Sequence, residues 1–130
     1  MAAGNYSFTI EQGVTVDFEV QYTDINNVPI DLTGYSGRMQ LKSGFANDTP
    51  TTYATLSSSR YPDGTGLNFS GSSGTTPPTS GSIGIFISAA SSSAFTFARA
   101  KYDLELVSGS RVVRLLEGIA TLSKEVTTIP

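Results

Sequence analysis

Wherever the chain shows a clear pattern, apolar and polar positions alternate with a period of two. In VTVDFEVQYTD, Val14, Val16, Phe18, Val20 and Tyr22 are separated by Thr15, Asp17, Glu19, Gln21 and Thr23. Successive side chains of a strand project to opposite faces, so this run predicts a strand with one buried and one wetted side. Tyr6, Phe8 and Ile10 alternate ahead of it, and Gly13 parts the two runs. They are either successive strands or one strand with a bulge. INNVPIDLTG crowds Asn, Pro and Gly together and predicts a turn and an irregular crossover. Beyond it Tyr35, Met39 and Leu41 share one face, with Ser36, Arg38, Gln40 and Lys42 on the other. Gly37 falls in the buried register, which marks a close backbone approach or a bulge.

From Ser43 to Ser82 the pattern weakens. Tyr53 and Leu56 anchor one short strand, Leu67 and Phe69 another, and RYPDGTG between them predicts a turn. SGSSGTTPPTSGS holds too little apolar content to pack and predicts a mobile surface loop. Ile83, Ile85 and Ile87 restore the alternation. ISAASSSAFTF is the single candidate helical turn, kept short by its serines. The remainder predicts a hairpin: Tyr102, Leu104 and Leu106 face inward, SGS turns, and a return strand runs from Arg111 to Lys124. A shift of apolar register places a bulge at Glu117–Gly118. Seven to nine short strands with almost no helix predict an all-β antiparallel sandwich or barrel.

At 130 residues the chain predicts one domain, residues 1–130, able to bury roughly two-thirds of its unfolded surface. The formal charge of −3 and scattered Lys and Arg argue against nucleic acid, which demands a concentrated basic face. No run of residues is long and apolar enough for a membrane span. MAAGNYSFTIEQG has neither the basic nor the apolar region of a signal peptide, so synthesis in a cytosol is expected.

Candidate chemistry is sparse. With no His and no Cys, the usual general base, most zinc sites and the common nucleophile–base pairs are excluded. Asp103 with Glu105, and Asp17 with Glu19, are two apart on a strand face, about 7 Å by the strand rise, within glycosidase range. Alternating acids are more commonly the wet face of a strand. Asp63 and Asp24 are oxygen donors for calcium in principle, but turn stabilisation explains each without a dense ligand set. Tyr53, Tyr61 and Phe69 are candidates for stacking on a sugar, against the simpler role of capping the core. No enzyme activity and no cofactor is expected. Arg38, Lys42, Arg111 and Arg114 are the candidate protein-interface residues, since Arg is enriched at interfaces.

The pieces IEQGVTVDFEVQYTD, VPIDLTGYSGRMQLKS, GSIGIFISAA and YDLELVSGSRVVRLLEGIATLSKEVT, in this order, resemble a group of small bacteriophage virion proteins. More distantly, the chain is similar to the N-terminal domain of phage baseplate upper proteins. Asn27 stands where the group often has Gly, and Lys42 where it often has Arg. Residues 43–82 match nothing in it. The resemblance implies an immunoglobulin-like antiparallel β-sandwich; the weak patterning at 44–53 and 71–81 predicts long surface loops that order on docking. The resemblance also implies a virion protein made in the host cytoplasm. The expected role is a baseplate or tail-fibre adaptor, held in multiple copies by virion symmetry among other phage structural proteins. A capsid decoration or neck protein is the alternative, and a carbohydrate-binding host-recognition module an alternative of another class.

Overall fold

The computed structural model describes residues 4–43, 51–71, 74, 75 and 77–124. Nine strands follow in chain order: β1 (Gly4–Asn5), β2 (Phe8–Glu11), β3 (Val16–Gln21), β4 (Ser36–Lys42), β5 (Thr52–Ser57), β6 (Gly66–Asn68), β7 (Ser82–Ile87), β8 (Arg99–Ser108) and β9 (Arg111–Ser123). A five-residue helix, α1 (Ala89–Ser93), joins β7 to β8. The strands form two sheets packed face to face. The larger is ordered β1-β9-β8-β4-β5, with β2 also on β9, and the smaller β3-β7-β6. The protein is a β-sandwich.

The alternating residues become the core between the sheets. Met39, Leu41, Leu104 and Leu106 from the larger sheet meet Ile83, Ile85 and Ile87 from the smaller, all essentially inaccessible. Gly37 is a close approach, as its register suggests: a Cβ there would sit 3.0 Å from Leu67 and from Phe69. The two N-terminal runs are separate strands in different sheets. The crossing at Gly13 is fastened by α1, where the buried Ser92 hydroxyl accepts from the Gly13 amide at 3.1 Å and donates to the Val14 carbonyl at 2.9 Å.

Three expectations need correction. The sandwich is not wholly antiparallel, because β1 and β2 both run parallel to β9. Parallel partners far apart in sequence leave no local pattern that would announce them. The bulge in β9 lies earlier than Glu117–Gly118: Leu104 pairs with Leu116 but Glu105 with Arg114, so Leu115 is the extra residue. Finally, the stretch read as a loose loop is tied down along its second half. A 3₁₀ turn at Pro78–Ser80 ends at Gly81 with φ 71°, and Leu32 donates to the Pro78 carbonyl while Tyr22 donates to that of Gly81. Of the other long loop, residues 44–50 lie outside those described, and Thr52 and Tyr53 already belong to β5.

Candidate functional site

Pairing across the larger sheet sets its outward side chains in rows. Arg38, Glu105 and Arg114 form one row over β4, β8 and β9; Gln40, Asp103 and Glu117 the next; Lys42, Lys101 and Ile119 the third. Arg114 and Glu117 are three residues apart and would face opposite ways in a regular strand. The extra residue Leu115 brings both to the same side.

The first row is an ion-pair ladder. Arg38 Nε donates to Glu105 Oε1 at 2.8 Å. Arg114 lies 3.4 Å from Asp103 and 3.9 Å from Glu105. Both arginine side chains remain more than half exposed, at 58% and 54%, so each pair adds at most about 1 kcal/mol to folding. What the ladder fixes is position: Glu105 lies between two arginines and contacts both. Lys42 is opposite Lys101, a like-charge juxtaposition across strands.

Three of the four candidate interface residues, Arg38, Lys42 and Arg114, therefore share this face. Arg111 does not. It pairs with Ser108 at the exposed tip of the β8–β9 hairpin, in the alternate register.

Between the second and third rows the face sinks into a shallow depression of about 640 Å³, bordered by Lys42, Lys101, Asp103, Glu117, Asn5 and Ser7. Gly118 is part of its lining. A side chain there would collide with the carbonyl of Tyr6, which crosses behind and accepts a hydrogen bond from the Tyr102 hydroxyl. Burial of that hydroxyl, with the nearby Tyr6 phenol adding to the effect, pushes the Tyr102 pKa up to about 12.

The other candidates resolve into structural roles. Asp103 and Glu105 both contact Arg114. Asp17 and Glu19 line the outer side of β3, opposite Phe86 and Gly84. Asp24 Oδ1 accepts from the amides of Asn26 and Val28 and closes its turn. Asp63 Oδ2 accepts from the Ser88 hydroxyl at 2.6 Å and Oδ1 from the Thr65 amide at 3.0 Å. These bonds, the Ser88 one first, hold its pKa down at about 2. Among the described residues no three acids gather to hold a metal. Of the aromatics, Phe69 covers Gly37, and Tyr53 stacks on Phe97 at 4.6 Å. Tyr61, 55% exposed, joins Tyr53, Thr52, Thr55 and Phe95 around a crevice of about 420 Å³ beside β5.

The sequence reading missed the gathering of cations. Lys and Arg are scattered along the chain, yet five of the eight, Arg38, Lys42, Arg99, Lys101 and Arg114, lie on this one outer face. The signal was available in strand parity: 38 and 42 share a face, as do 99 and 101, and only the bulge hid Arg114. Among the described residues no helix is long and apolar enough to cross a membrane. No protein-family model matches the chain, and no curated protein matches it.

Proposed function

We propose that this protein is a structural component of a bacteriophage particle, a baseplate or tail-fibre adaptor that works by presenting a stiff charged sheet face to neighbouring virion proteins. The observation that carries the reading is the ladder Arg38–Glu105–Arg114, which holds two arginines in fixed positions on an otherwise solvated sheet. Pre-ordered Arg costs less to immobilise on binding than a free side chain. The resemblance of the DLTGY and YDLEL segments to small virion proteins supplies the setting, and with it an array of copies rather than catalysis, a membrane or nucleic acid.

The strand order supports an immunoglobulin-like reading of the sandwich. In that fold a B-E-D sheet faces one built from C, F and G, extended by C′ in variable-type domains. Here β3-β7-β6 faces β9-β8-β4-β5, with the first strands laid along β9.

Mass spectrometry of purified particles separated into heads and tails tests the proposal. Recovery with tails supports the adaptor, and cross-linking from Lys42 and Lys101 then identifies the neighbour. Recovery with heads makes it a decoration or neck protein, and absence from both overturns the virion reading. A carbohydrate-binding role is favoured by one observation only, the shared crevice of Tyr53 and Tyr61. A glycan array without a binder removes it.

A further inference from the structure

The two outer faces of the sandwich carry opposite charge. On the larger sheet the five cations are set against Glu11, Asp103, Glu105 and Glu117, a net +1 among the described residues. The outer side of the smaller sheet presents Asp17 and Glu19 from β3, with Asp63 at its rim against the single cation Arg60, a net −2. The molecule as a whole carries −3, so the basic face is basic against the overall balance.

The acidic face also has a receptacle. A depression of about 230 Å³ is bordered by Asp17, Asp63 and Arg60, with Phe86 and Gly84 in its lining. Gly64 approaches Phe86 so closely that a Cβ would lie 3.3 Å from the ring, so the glycines keep the aromatic accessible. Two carboxylates beside an aromatic ring suit one long cationic side chain, through charge and cation–π attraction together.

We propose that copies of this protein associate face to back, the basic outer face of the larger sheet on the acidic outer face of the smaller sheet of the next copy, with a Lys or Arg side chain seated beside Phe86. The contact is heterologous: each copy uses two different surfaces, so association continues into a ring or a row instead of stopping at a dimer. It deepens the reading of copies held in an array and rests on that reading for its biological setting. Strands of six, six and three residues offer only ~240 Å² by their spacing and rise, well short of the ~800 Å² per partner of a stable complex. The free protein is consequently a weak associator, and a virion scaffold supplies the rest by proximity.

Amide shifts of ¹⁵N-labelled protein, followed on dilution from about 1 mM in low salt, test it. Amides of β4 and β8 and amides of β3 and β7 should shift together, and the shifts should vanish near 1 M salt, where charges are screened beyond ~3 Å. Absence of any concentration dependence, or movement of one face alone, overturns the proposal. Charge exchange separates this contact from a symmetric one. Lys42→Glu with Lys101→Glu makes both faces acidic, and Asp17→Lys with Glu19→Lys makes both basic. Each double variant alone should lose association at least tenfold, and an equal mixture should regain it. If the second variant alone associates like the wild type, the acidic face is not involved and the proposal fails. The neutral pairs Lys42→Gln with Lys101→Gln and Asp17→Asn with Glu19→Gln repeat the single-variant arms should a reversed protein not fold. A protein that stays monomeric in solution yet is found in particles overturns the face-to-back contact while leaving the virion role in place.

Discussion

At the scale of single residues, the side chains that matter most make polar contacts the sequence does not advertise. Asp63 read as a turn aspartate, and it is one, but its second oxygen also holds Ser88 and Ser91 at the start of α1. Its folded pKa of about 2 lies below the ordinary 3.8. The proton is therefore bound more tightly by the unfolded chain, and the stabilisation is complete above about pH 4 and lost as pH falls toward 2. Asp63→Asn should lower the urea midpoint at pH 7 and flatten its decline between pH 4 and 2. Tyr102 has the opposite sign. Its folded pKa of about 12 exceeds the ordinary 10.0, so stability falls as pH rises from 10 to 12. Tyr102→Phe should cost about 1 kcal/mol at neutral pH for the lost hydrogen bond and remove that alkaline decline. Gly118→Ala places a methyl group against the Tyr6 carbonyl. Overpacking of this kind costs about 1–3 kcal/mol, measurable as a lowered denaturation midpoint.

At the scale of elements, strands whose two faces meet different environments were legible, and those defined by a distant partner were not. The alternation of Val16, Phe18 and Val20 and of Met39 and Leu41 survives in β3 and β4; in β7 Ile83, Ile85 and Ile87 share the core face, while Ser82 and Gly84 on the other face are buried as well. The serine-rich helix is present and as short as its propensity implies. In β9 the apolar pair Leu115-Leu116 was the real sign of a bulge. The shift of apolar register is real, but the sequence reading places it at Glu117-Gly118, two residues past the extra residue Leu115, and Gly118 answers instead to the chain crossing behind it. The basic face was hidden for the same reason, since its residues come from strands up to 76 positions apart (Arg38 and Arg114). Deleting Leu115 should therefore be tolerated. Arg114 and Glu117 would then be two apart in a regular strand and keep their outward face, so the ladder to Glu105 survives. The cost is the packing of one half-buried leucine, about 2 kcal/mol, and a folded amide spectrum with a lowered midpoint is the expected result.

At the scale of the whole molecule, both sheets draw on one core, and the 18 buried apolar residues among those described form a single cluster. Unfolding should be one cooperative transition, with far-ultraviolet dichroism and tyrosine fluorescence tracing the same curve. Two separated curves would mean that the smaller sheet melts on its own.

The parallel pairing of β1 and β2 with β9 also orders events in time. A ribosome delivers the chain from its N-terminus, at ~5–20 residues per second, so the segment from Gly4 to Glu11 emerges some hundred residues before the strand that receives it. Until then Ile10 has no wall to lie against, and the Tyr6 carbonyl waits for Tyr102. A chain stopped at Ser110 has every other strand but no seat for its first two, and should remain open and protease-sensitive. Closure thus reports that β9 has been made, and an interrupted product betrays itself by a loose beginning.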